Sequence, residues 1–188
     1  MNYYVVETDK HKLIQKTAGV KARQDVETIF KWNNFKKIEI PCLIEGRENK
    51  TRLGKIKAHY DVYMLWKNAL KKIKKNDWIY IQFPLLEHTM LFSLLIKNLE
   101  KRGIHTSIII HDVEAIRFTL RNDVPLSRKI RMRFEEISSF KNCSKIIVHN
   151  EKMKSFMHEK WKIHKDKMDI LGIFDYLVEN YNEELLEK

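Results

Sequence analysis

The chain has 188 residues, 44% of them hydrophobic, and 36 Lys plus Arg against 25 Asp plus Glu give a net charge of +11. That length suits one domain or slightly more, with enough apolar material for a proper core. No apolar run is long enough to span a membrane, and the opening MNYYVVETDK has neither the basic start nor the long apolar region of a signal peptide, so a cytoplasmic protein is expected. Cys42 and Cys143 show no metal-ligand spacing and no pairing pattern, which argues against a zinc site or a disulfide framework. The basic excess suits nucleic acid, anionic lipid headgroups or phosphate-bearing substrates. With 27 Lys to 9 Arg, however, it leans away from surfaces that read bases with arginine forks, and a solvated lysine-rich surface accounts for part of it.

In chain order, residues 2–6 (NYYVV) read as a first strand, followed by a long polar loop that closes at Gly19. Loops of that length are more often functional than idle, although this one lacks a Gly-x-Gly-x-x-Gly dinucleotide fingerprint. Val26, Ile29 and Phe30 predict an amphipathic helix over residues 20–32, with Lys21 and Asp25 near its start facing either a crevice or water. Residues 35–40 (FKKIEI) predict a second strand ended by Pro41, and residues 45–57, with Gly46 and Gly54, a mobile surface loop. Val62, Leu65, Trp66, Ala69, Leu70 and Ile73 recur at helical spacing, and Lys71, Lys72, Lys74 and Lys75 at the end complement the helix dipole. A third strand, 77–83 (DWIYIQF), stops at Pro84, and a nearly all-apolar helix is predicted over 86–101, closed by Arg102-Gly103.

Residues 107–110 (SIII) are too apolar for a half-exposed strand and belong inside a sheet covered on both faces. Ligands bind at the carboxyl ends of such strands, which places His111 and Asp112 at a crevice mouth, with Glu114 and Arg117 about a helical turn beyond. The alternative is that Asp112 only caps the following helix. A helix over 126–142 alternates Arg128, Lys129, Arg131 and Arg133 with Ile130, Met132 and Phe134. It suits either an anionic membrane surface at the inner face or ordinary packing with a basic outer face. A fifth strand, 144–148, ends in His149-Asn150, Asn150 being placed to cap a helix over 151–159. Residues 168–171 suggest a sixth short strand before an acidic helical tail. Strands alternating with helices predict an α/β, doubly wound, mostly parallel sheet of about six strands, Rossmann-like.

The succession ETDKH…GVKARQDVE, DWIYIQFP, IIIHDVEAIR, IIVHNEKMKSFM and GIFDYL resembles the amino-terminal domain of bacterial galactofuranosyltransferase-like glycosyltransferases, a group that includes glucosyltransferases acting on serine-rich adhesins. The resemblance implies a GT-B architecture, two Rossmann-like halves facing across a cleft. Residues 1–172 would form the acceptor-side half, and 173–188 would lead toward a donor domain that this chain does not contain. Carried over residue by residue, Gln82, Phe83 and Pro84 match a Gln-x-Pro segment lining the cleft, and His111 and Asp112 match a His-Asp pair followed by Glu114 and Arg117. His149, Asn150 and Met153 match the next strand end, and residues 174–176 the approach to the second domain. Thr8, Asp9, Lys10 and His11, with Lys21, match the first strand-end loop.

The implied activity is transfer of galactofuranose or another hexose from a nucleotide-sugar, UDP-linked, to a glycan, lipid-linked or glycoprotein acceptor, with no metal and no further cofactor. An inverting enzyme needs a base at the acceptor hydroxyl; Asp112 is the first candidate and His111 the second, with Arg117 as a charge clamp. The competing class is a non-catalytic basic module for an anionic membrane or nucleic acid, with Arg128, Lys129, Arg131 and Arg133 as the contact. Self-association into a homo-oligomer stays open.

Overall fold

The structure, a computed structural model, describes residues 1–8, 18–43, 51–118, 123–172 and 177. Six strands, β1 (Asn2–Thr8), β2 (Lys36–Pro41), β3 (Trp78–Phe83), β4 (His105–Ile110), β5 (Lys145–Val148) and β6 (Met168–Ile170), form one sheet in the order β2-β1-β3-β4-β5-β6. All five pairings are parallel. The expected α/β Rossmann-like arrangement is therefore what the chain adopts.

Alternation along each strand feeds two cores. Ile108 and Ile110 of β4 face one way, joining Ile79 and Ile81 of β3 and Ile146 of β5. This face is covered by α2 (Arg52–Ala69), α3 (Phe92–Lys101), α6 (Ser138–Asn142) and α7 (Glu151–Trp161), through Trp66, Phe92, Ile96, Phe140 and Met157. Ile109 faces the other way with Tyr4, against Val26 and Phe30 of α1 (Ala18–Trp32). Beside α1 a groove of ≈ 400 Å³ lies open, lined by Val26, Ile29, Phe30, Ile109, Ile147 and Leu171. Two further helices complete the layer: the single turn α4 (Glu114–Arg117), and α5 (Leu126–Met132), which runs into α6 through a π-helical turn at Arg133–Ile137. No helix among the described residues is long and apolar enough to cross a membrane.

Four departures from the sequence expectation have a local physical reason. Pro41 is the last residue of β2 rather than its terminator, because β2 is an edge strand with no outer neighbour needing its amide. The predicted surface loop gives way to helix at Arg52: Thr51 caps α2, its Oγ accepting from Gly54 N at 3.2 Å, so Gly54 sits in a capped first turn. Residues 71–75 lie beyond α2, which ends at Ala69, and the chain turns through Asn76 at φ 67°. The lysines there follow the helix rather than cap it.

The largest difference is at residues 86–91, predicted as helix and found as bends and turns, with α3 starting only at Phe92. Their amides are directed elsewhere. Glu7, at the end of β1, accepts from Leu86 N at 2.8 Å and Glu87 N at 3.2 Å, while Glu87 accepts from Leu43 N at 2.6 Å. A buried carboxylate holding two backbone amides replaces the first helical turn that those amides could have entered.

Burial pushes the Glu7 carboxyl up to about 7, against the pull of the two amides and of Arg23. Because this value lies above the ordinary 4.5, Glu7 contributes stability that is full below about 4.5 and is lost as pH rises through about 7. Glu7→Gln, which presents an amide to a backbone donor, should be destabilising at pH 5 and progressively less so, relative to the parent, toward pH 8. Urea unfolding midpoints across that range check this; a pH-independent difference would show that Glu7 is not the titrating group.

Candidate functional site

β1 leads to β2 on one side and β2 crosses to β3 on the other, so the topological switch point lies between β1 and β3, where ligands of such sheets bind. A cavity of ≈ 30 Å³ opens there among Glu7, Arg23, Glu27, Gln82 and Leu86, with room for a water molecule. From this point a hydrogen-bond chain runs along the carboxyl rim. His149 Nε2–H donates to His111 O at 3.3 Å, and His111 Nε2–H to Gln82 Oε1 at 2.7 Å. Gln82 Nε2 donates to Arg23 O at 3.3 Å, and the Arg23 guanidinium to Pro84 O. Three adjacent strand ends and α1 are thus tied together. The Nε2–H assignment, made from the partners, leaves Nδ1 as the basic nitrogen of both imidazoles.

Two kinds of ion pair border this chain. Glu114 is clasped by Arg128, at 3.1 Å, and by Arg131, which also reaches Glu135 at 3.3 Å. Although burial works the other way, the two guanidiniums hold the Glu114 carboxyl below its usual range. Asp112 is different: half-exposed, it pairs with the exposed Arg117 and accepts from Val113 N at 2.8 Å. Asp112 therefore braces the start of α4 without being its N-cap, which is Val113.

Behind the rim lies a second, buried acidic layer. Glu135 and Glu136 sit in the π-helical turn and are almost fully inaccessible. His88 Nδ1 stands 2.5 Å from Glu135 Oε1, and Glu136 accepts from Ala115 N at 2.8 Å, holding α4 in place. Glu135 Oε2 has no hydrogen-bond partner among the described residues. Burial raises the Glu136 carboxyl to about 7, opposed by the Ala115 amide and reinforced by Glu114 and Glu135. The π turn is what brings both glutamates inward, since consecutive residues of a regular α-helix point about 100° apart.

Of the residues singled out from sequence, Gln82, Phe83, Pro84, His111, Asp112, Glu114, Arg117 and His149 all gather at the carboxyl ends of β3, β4 and β5. Phe83 is there as core, fully buried, rather than as a cleft wall. Asn150 is the N-cap of α7, its Oδ1 accepting from Met153 N at 2.9 Å. Lys21 pairs with the buried Asp25 at 2.8 Å, and Thr8 ends β1 beside β2. Asp9, Lys10, His11 and residues 174–176 lie outside the described residues. Among the described residues no group of three or more His, Cys, Asp or Glu is placed to hold a metal ion. Sequence reasoning missed Glu7, Arg23, His88, Glu135 and Glu136. A signal existed only for Glu7, an acid directly following an apolar strand.

Burial, with Arg23 and His149 nearby, lowers His111 from 6.5 to about 4. His111 is then neutral throughout the physiological range; its contribution to stability is full above 6.5 and is lost as pH falls through about 4. Its imidazole resonances should accordingly stay unshifted between pH 7 and pH 5.5 and move only near pH 4. Titration close to 6.5 would contradict the buried, Gln82-bonded geometry.

No curated protein matches the chain. One family pattern does, described as glucosyltransferase 3-like, N-terminal domain, and it covers residues 2–173. That span takes in every strand of the sheet and the whole polar rim. The chain belongs to the glucosyltransferase 3-like N-terminal domain family.

Proposed function

We propose that this domain is the acceptor-binding half of a two-domain GT-B glycosyltransferase. Its carboxyl rim receives a hydroxyl group of a glycan, lipid-linked or glycoprotein acceptor, while a donor domain across the cleft presents a UDP-linked galactofuranose or hexose. Family membership supports the reaction class. The observation that carries the reading is the bonded series His149–His111–Gln82 over three strand ends, bordered by the accessible Asp112–Arg117 pair.

In the transfer step the acceptor oxygen bonds to the anomeric carbon as the bond to the diphosphate oxygen breaks. The hydroxyl proton passes to the Asp112 carboxylate, and the departing diphosphate carries away the electron pair. Asp112 is freed for this when Arg117 turns to the diphosphate or to an anionic acceptor group. An exposed ion pair contributes only about 0.2–1 kcal/mol, so exchanging partners costs little. Glu114 cannot play that part, because two guanidiniums already hold it. His111, kept neutral, offers Nδ1 to a sugar hydroxyl and leaves the proton transfer to Asp112. On this reading the chain alone binds acceptor and turns over only when joined to its donor half.

In the joined enzyme, Asp112→Ala should lower kcat by about 10²–10⁴-fold, the usual contribution of a general base, with only a small drop in thermal midpoint from the lost Val113 and Arg117 contacts. Near-normal turnover would remove Asp112 from the mechanism.

A further inference from the structure

Two helices on the more heavily covered face begin at the carboxyl edge and leave large apolar side chains in water. On α2 these are Leu53, Ile56 and Tyr60, between 53 and 79% exposed; on α5 and the π turn they are Leu126, Ile130 and Phe134, between 39 and 72%. The spacings, i, i+3, i+7 and i, i+4, i+8, put each trio on one side of its helix. Scattered single apolar residues are ordinary on a surface, but two aligned stripes are not.

The two stripes share a neighbourhood. Thr89 Oγ donates to His59 O of α2 at 2.9 Å, and the preceding His88 meets Glu135 of the π turn at 2.5 Å, so residues 84–91 bridge one helix to the other. Neither residues 51–60 nor residues 124–134 contain a single Asp or Glu. Lys55, Lys57, Lys129 and Arg133 are exposed beside the apolar side chains. Arg128 and Arg131, by contrast, turn inward to Glu114. The basic groups left outside are therefore mostly lysines among leucine, isoleucine and aromatic side chains.

We propose that this flank docks the domain on an anionic lipid bilayer, with the two apolar stripes at the headgroup–acyl boundary and the lysines among the phosphates. Nucleic acid would engage the lysines but has no use for Leu53, Ile56, Leu126 and Ile130, and Arg128 and Arg131, which could fork onto phosphate or guanine, are engaged by Glu114. Docking does not depend on the transferase reading. It adds to that reading an orientation in which the carboxyl rim lies beside the bilayer.

The full chain should co-float with vesicles of mixed phosphatidylglycerol and phosphatidylcholine and stay behind with phosphatidylcholine alone. Ile56→Glu combined with Ile130→Glu should reduce the bound fraction by about tenfold or more, since each removes a buried isoleucine from the interface and adds repulsion. Both positions are exposed, so the circular-dichroism melt should not change. A Lys55→Gln, Lys129→Gln variant should bind more weakly and with a reduced salt sensitivity, since Lys57 and Arg133 remain. The proposal is overturned if mixed vesicles retain no protein. It also fails if the double glutamate variant floats like the parent, or if duplex RNA displaces the protein from vesicles in equimolar competition.

Discussion

A parallel sheet collects the carboxyl ends of all its strands on one edge, and here that edge must accommodate ionisable groups that an apolar interior would reject. An unpaired buried charge costs several kcal/mol or more, so each such group needs a partner at close range. Glu7 meets that demand with two amides of residues 84–91, Glu136 with the amide of Ala115, and Glu114 with two guanidiniums. Each pairing also fixes a segment of backbone. The connection after β3 is non-helical where Glu7 takes its amides, and α4 is held where Glu136 takes one of its own. The rim owes its shape to these carboxylates as much as to the sheet beneath.

This arrangement separates what is fixed from what can move. The groups behind the rim are held by hydrogen bonds or ion pairs away from solvent, so breaking these would leave an uncompensated charge. At the front, Asp112 and Arg117 form a solvent-facing pair that can be exchanged for a substrate at little cost. His111 belongs to the fixed set: its Nε2 is committed to Gln82, and burial keeps it neutral. A rim of this kind offers oriented hydrogen-bond partners with one exchangeable charge pair, which would suit the proposed recognition of neutral hydroxyls next to a diphosphate. Apolar, lysine-edged stripes on α2 and α5 flank the same edge, so that recognition and docking would be neighbours on one side of the molecule.

Much of the fold was legible because its determinants are local in sequence. The SIII run of β4 with its abrupt His-Asp ending, the capping asparagine at 150 and the apolar alternation of β3 each speak for themselves. The site was legible to the extent that strand ends could be named: Gln82, His111 and His149 are consecutive members of one hydrogen-bond chain. What could not be read was long-range. Nothing near residue 86 shows that a glutamate 79 positions earlier will take its amide, and nothing in RFEEI shows a π turn that buries two adjacent acids. Likewise, Leu53 and Ile56 resemble loop residues beside Gly54 until Thr51 is seen capping the helix.

If the carboxyl rim is the acceptor side of a sugar-transfer site, as proposed, acceptor sugars should bind along it. Backbone amide mapping of the isotopically labelled chain against methyl glucoside, methyl N-acetylglucosaminide and a hexose phosphate tests it most directly. Shifts should concentrate at Gln82, His111, Asp112, Val113, Arg117 and His149. Shifts confined to the apolar groove beside α1, or none with any of the three, would contradict it.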